Sequence, residues 1–120
     1  MNFKDNKAIY LQIADRIGDQ IIAGDLTPDG KVPSVRELAA EIEVNANTVA
    51  RTYDHLQQNG IIYTKRGLGY FVSPDAREKI VNLRRQQLMQ GEMEYFLGQL
   101  KAVCITPDEL RQLYSDYLNK

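Results

Sequence analysis

Two helix starts lie eleven residues apart in the middle of this chain, and that spacing restricts the fold more than any other feature. The first is Ser34-Val35-Arg36-Glu37. The Ser34 side chain can accept from the backbone N–H three residues on, and Glu37 can reach back to the N–H of Ser34, the reciprocal pattern of a capping box. Leu38, Ala39 and Ile42 then form an inward face, and the helix ends near Glu43. Asn45 is the second start. It opens a helix whose Val49, Tyr53 and Leu56 share one side and which Asn59-Gly60 stops. Two helices with so short a connection turn sharply against each other, as in a helix-turn-helix.

The flanks complete the pattern. Ile9, Ile13, Ile17 and Ile21 recur every four residues, and Tyr10, Ala14 and Ile22 widen that stripe into the seam of an amphipathic helix. Gly24 stands where a C-terminal cap would, and Thr27-Pro28-Asp29-Gly30 is a dense turn signal. Downstream, Ile61-Ile62-Tyr63-Thr64 and Tyr70-Phe71-Val72 read as strands, joined by the glycine-bearing basic turn Lys65-Arg66-Gly67-Leu68-Gly69. Helix, short helix, tight turn, helix and hairpin in that order make a winged helix-turn-helix.

After Pro74, Asp75-Ala76-Arg77-Glu78 is a further capping box. The helix it opens carries Ile80, Val81, Leu88 and Tyr95 on one side and Met89, Met93, Phe96, Leu97 and Leu100 on another, with Gly91 and Gly98 weakening it. Thr106-Pro107-Asp108-Glu109 is a third box, opening a last helix with Leu110, Leu113, Tyr114, Tyr117 and Leu118. The expected fold is therefore mainly α with a small β-hairpin. Residues 1–74 form a winged helix-turn-helix domain and residues 75–120 a short helical tail.

Composition excludes several function classes. At 120 residues, 43% hydrophobic and 26% charged, the chain supports a single core but not two enzyme domains. With one Cys (Cys104) and one His (His55), a disulfide within the chain cannot form and no Cys/His metal site is expected. Residues 1–7 are polar and mixed in sign, unlike a signal peptide, and no apolar run reaches the roughly 18 residues of a membrane span. The expected address is the cytoplasm, which suits a lone thiol.

The net charge of −1 argues against a nucleic-acid partner unless the cations gather on one face. Residues 1–30 hold three Lys/Arg and five Asp/Glu, whereas residues 31–75 hold five of each. Arg36 falls in the first turn of the shorter helix, away from its apolar face. Arg51 lies off the Val49–Tyr53–Leu56 face of the second helix, on the side that Asn47 and Thr48 share. Lys65 and Arg66 sit at the hairpin tip, and Lys31 precedes the motif. Glu41, Glu43 and Asp54 are expected to point elsewhere. The resulting face is polar, hydrogen-bonding and positive, as phosphate and base contacts require.

Pro33-Ser34-Val35-Arg36-Glu37-Leu38-Ala39, Val44-Asn45-Ala46-Asn47-Thr48-Val49 and Gly67-Leu68-Gly69-Tyr70-Phe71-Val72 resemble the DNA-binding domain of the GntR family of bacterial transcription regulators. Ile9-Tyr10-Leu11-Gln12-Ile13 is similar to that family's opening helix. The likeness covers residues 8–73, and the short tail is similar to the YtrA-type subfamily, whose tail mainly dimerises. The resemblance implies a sequence-specific regulator, a repressor in the expected sense, that binds a pseudo-palindromic operator as a homodimer. It places Arg36 on DNA at the start of the motif's first helix, Asn45, Asn47 and Thr48 at the start of the recognition helix, and Gly67 and Gly69 where the wing backbone approaches DNA. Lys31, Ser34, Arg51, Lys65 and Arg66 complete the expected contact set. Ala46 stands where many members have Arg, so base preference does not carry over from them.

The tail's two apolar sides need two partners. Leu88, Met93, Phe96, Leu97, Leu100, Leu113 and Tyr117 are the expected dimer residues. No cofactor is implied, and no residue set points to a small-molecule effector. Gly67-Leu68-Gly69 lacks the third glycine of a nucleotide loop and opens a strand rather than a helix. His55 has no catalytic or metal-ligating neighbours in the pattern. Cys104, among Ala102, Val103 and Ile105, reads as a buried small hydrophobe. Two other classes stand beside the DNA reading. A winged-helix protein-interaction module would fit the acidic balance, and a small enzyme fails for want of a nucleophile–base pair or facing carboxylates.

Overall fold

A computed structural model describes residues 7–120; the polar start read above lies, apart from Lys7, outside them. Helix α1 spans Ile9–Ala23, α2 Val35–Ile42 and α3 Ala46–Gln58. Strands β1 (Ile62–Lys65) and β2 (Gly69–Val72) follow. Helix α4 (Ala76–Gln87) leads through a π-helical turn, Leu88–Glu92, into α5 (Met93–Ala102), and α6 spans Pro107–Leu118. The chain divides into two compact units, one ending at Asn82 and the other Leu83–Lys120. No described helix is long and apolar enough to cross a membrane.

The first unit is built on α3. Helices α1 and α2 both pack on it. Ile13, Ala14, Ile17 and Ile21 meet Leu38, Ala39, Val49, Tyr53 and Leu56 in the core, with Val32, Ile61, Ile62 and Val72 closing it from the wing side. Ile9, expected on the same seam, is 60% exposed. Tyr10 takes the inward position at that end of α1. Its carbonyl accepts from the buried Thr52 hydroxyl (2.8 Å), and its ring stands edge-on to His55.

The division at Asn82 falls about two helical turns beyond the 74/75 boundary that the turn signals suggest. The start of α4 belongs to the first core, because Ala76 and Ile80 are buried and Lys79 Nζ donates to the Gly60 carbonyl (3.3 Å).

Tyr53 fixes the wing relative to the helices. It is fully buried on α3. Its hydroxyl donates to the Pro33 carbonyl (2.6 Å), and its ring packs edge-on against Tyr70 of β2, 4.9 Å between centroids. Burial, with Tyr70 nearby, pushes its phenol well above the usual tyrosine range. A raised folded value means that this stabilisation is whole below the unfolded pKa of about 10 and is lost as pH rises through the folded value. Tyr53→Phe therefore costs about 1–2 kcal/mol in urea unfolding at neutral pH, and the gap from the parent chain narrows at strongly alkaline pH. An unchanged midpoint at neutral pH would contradict this role.

Strands β1 and β2 pair antiparallel, Ile62 with Val72, Tyr63 with Phe71, Thr64 with Tyr70 and Lys65 with Gly69. A third edge joins them. Lys31 bridges to Phe71, Val32 N–H donates to the Tyr70 carbonyl (2.9 Å), and Val72 N–H donates to the Gly30 carbonyl (2.9 Å). The Tyr63 hydroxyl donates to Asp29 Oδ1 (2.7 Å), tying the wing to the turn before that edge.

In the second unit no residue of α5 or α6 is buried. Thr106 and Glu109 cap α6 reciprocally, with Pro107 in its first turn. Cys104 is exposed, which corrects the expectation of a buried thiol. It sits at φ 62°, one residue past the C-cap of α5, in a Schellman turn where Cys104 N–H donates to the Lys101 carbonyl and Ile105 N–H to that of Leu100. That conformation carries the side chain outward.

Candidate nucleic-acid interface

The site begins with two caps. Glu37 N–H donates to Ser34 Oγ (3.1 Å) while Ser34 N–H donates to Glu37 Oε1 (2.9 Å). The backbone N–H and the hydroxyl of Ser34 hold the Glu37 carboxyl below the usual range. That carboxylate is thereby drawn onto the helix end, and the exposed Arg36 beside it stands in no ion pair among the described residues. Asn45 Oδ1 accepts from Asn47 N–H (2.8 Å), so its amide oxygen closes the helix while its NH₂ remains a donor. Between the two helices the chain passes through Glu43 at φ 55°.

Spacings of four and three residues put Asn47, Arg51 and Asp54 on the outward side of α3, opposite Val49, Thr52, Tyr53 and Leu56. Thr48 is half-buried at its edge. Asp54 thus corrects the expectation that it points away from this side. It sits on the outward side, about 10 Å along the helix from Asn47. Glu41 borders a cleft with Arg16, Leu38 and Tyr53. Arg51 pairs with neither Glu37 nor Asp54. Its guanidinium carbon lies 4.0 Å from the centroid of the Tyr10 ring.

The wing gathers the other cations. Lys65 Nζ lies 4.6 Å from the Phe71 ring centroid, and Arg66 is exposed at the tip. Lys31, brought alongside by the third edge, places its Cε 3.5 Å from where a Cβ on Gly69 would stand. Gly67 (φ 78°) and Gly69 (φ 108°) adopt left-handed backbone that other residues enter only at a cost, so the tight tip needs both. Two residues here lie outside the expected contact set. Leu68, between those glycines, is 60% exposed. Tyr10 meets Arg51 across 41 positions, a separation over which a single sequence carries no signal. Among the described residues, no group of His, Cys, Asp and Glu could hold a metal ion.

Three helices on one core, with a glycine-tipped ribbon packed against the second helix of a helix-turn-helix, define a winged helix-turn-helix DNA-binding domain. Comparison with known proteins agrees. The pattern described as bacterial regulatory proteins, gntR family, matches residues 9–72. The HTH-type transcriptional regulator YhcF of Bacillus subtilis is 40% identical over 108 residues, covering 90% of this chain and 88% of its own. The HTH-type transcriptional repressor YtrA of the same organism is 36% identical over 102 residues, covering 85% and 72%. A crystal structure of a GntR-family transcriptional regulator from Bacteroides thetaiotaomicron superposes with a TM-score of 0.81 at 44% identity, over 93% of this chain and 97% of that one. The DNA-binding domain of AraR, in complex with operator ORR3, gives a TM-score of 0.51 at 31% identity, over 53% of this chain and 77% of that one. The chain belongs to the GntR family of transcriptional regulators.

Proposed function

We propose that this chain is a repressor that grips a pseudo-palindromic operator as a homodimer. The observation that carries the reading is the outward side of α3. Asn47 and Arg51 lie there with the spare Asn45 donors at the helix start, and Arg51 stands in no ion pair among the described residues. The donors of Asn47 and Arg51 suit base edges in a major groove about 12 Å wide. Arg36 and Thr48 flank them, Ser34 holds the turn that presents Arg36, and Lys31, Lys65 and Arg66 meet phosphates beside the close backbone of Gly67 and Gly69. The repressor sense draws on the likeness to YtrA, and operator binding on the likeness to AraR.

The tail supplies the second subunit. Leu88, Phe96, Leu97, Leu113 and Tyr117 are exposed, with Met93 and Leu100 half-buried, and a two-fold partner would cover them. A dimer seated on a promoter excludes polymerase by occupancy, in the cytoplasm where the DNA lies.

A footprint of the purified chain on the promoter of its own operon tests this. Protection over two inverted half-sites is expected, their centres a whole number of helical turns apart. Arg36→Ala weakens binding about 5- to 150-fold if the arginine reads a base, equivalent to about 1–3 kcal/mol. No protection at any salt concentration would overturn the reading in favour of an interaction module, and a monomer at micromolar concentration in sedimentation would overturn the homodimer.

A further inference from the structure

We propose that Tyr10 is a positioning residue for base recognition: its ring is a platform that holds the Arg51 guanidinium for a bidentate contact with guanine. This rests on the DNA-binding reading above and deepens it.

The geometry is specific. The Arg51 guanidinium carbon lies 4.0 Å above the Tyr10 ring centroid, a face-on cation–π distance. Tyr10 is itself held by α3. The Thr52 hydroxyl donates to its carbonyl (2.8 Å), and His55 meets its ring at 82°, 6.0 Å between centroids. Arg51 and His55 are one helical turn apart, so the helix that carries the guanidinium also grips the platform beneath it. Ring and guanidinium therefore keep their register when α3 moves as a body.

Stacking consumes only one face of a guanidinium. Its five N–H groups lie in the plane and stay available, in the fork that matches two parallel acceptors. An unsupported arginine would sample many rotamers and lose that freedom on binding, whereas a stacked one has lost part of it beforehand. Arg51 shares the outward side of α3 with Asn47 and has no carboxylate partner among the described residues to compete for the fork. The paired acceptors that such a fork fits in a major groove are O6 and N7 of guanine.

The test uses the full chain and a selection from random duplex DNA, followed by titration of the selected duplex and its single-base variants. The parent chain and Tyr10→Phe, which keeps the ring, should select the same site. Arg51→Ala should lose preference at one G·C pair in each half-site. Tyr10→Leu should weaken preference at that same pair, with about fivefold lower affinity for the selected duplex. It should cost nothing further in the Arg51→Ala background. Arg51→Lys, which keeps the charge but not the planar fork, should lose the same pair, and it serves even if Tyr10→Leu does not fold.

Even weakening across all positions in Tyr10→Leu, an equal cost with and without Arg51, or full preference retained by Arg51→Lys would each overturn the proposal. A parent chain that selects no sequence would overturn instead the DNA-binding reading on which it stands.

Discussion

Ending the chain after Asn82 lowers affinity for the complete operator by about a hundred- to ten-thousandfold and leaves affinity for an isolated half-site unchanged. The magnitude is that of losing a linked second binding event, since joining two modules makes the second contact intramolecular without adding any new one. The cut must fall there. Ala76 and Ile80 are buried in the core of the first unit, and removing two such side chains would cost roughly 1–3 kcal/mol each for reasons unrelated to dimerisation. A chain ended at residue 75 would confuse unfolding with loss of the partner. Past Asn82, α5 and α6 bury no residue within the chain, and the first unit carries its own core. Fluorescence anisotropy on full and half operators measures both affinities, and thermal unfolding checks that the shortened chain still folds. Full operator affinity in the shortened chain would refute assembly through the tail.

Features whose causes lie within about four residues were legible in the sequence. Ser34 with Glu37, Asn45 as a cap, and Thr106 with Glu109 each announce a helix start, and the structure places a helix at all three. The apolar spacing of α1 identified Ile13, Ile17 and Ile21 as core. Features made by distant pairing were not legible. The third wing edge joins Val32 to Tyr70, and nothing near Gly30-Lys31-Val32 announces a strand. Local apolarity also misled at Cys104, because Ala102-Val103-Cys104-Ile105 reads as core while the chain there is ending a helix in left-handed backbone. Asp54 failed for a simpler reason. Its three-residue spacing from Arg51 fixes it on the outward side whatever its charge. In the candidate site, the polar side chains of α3 and the basic wing tip were visible as composition. The aromatic rings under Arg51 and Lys65 became visible only through the fold.

Operator affinity should fall about a thousandfold between about 50 and about 200 mM monovalent salt, with a log–log slope near −5. A whole-chain charge of −1 gives no hint of this, because counterion release depends on the cations that meet phosphate rather than on the total. If Arg36 and Arg51 are directed at bases, as the proposed reading has it, Lys31, Lys65 and Arg66 remain for the backbone. That is about six phosphates in a dimer, at about 0.9 units of slope each. Lys31 and Lys65 both lie beside Gly69, and Arg66 projects from the tip, so the three act as one wing cluster. Lys65→Ala with Arg66→Ala removes about four of those six contacts and should flatten the slope to about −2. Gly67 and Gly69, which the turn requires, are untouched, so the ribbon keeps its shape. The position of the footprint should then be unchanged, because on the proposed reading these cations position the duplex while α3 reads it. A slope near zero in the parent chain would mean that the wing cations do not meet DNA. A slope unchanged in the double variant would move the phosphate contacts to another surface.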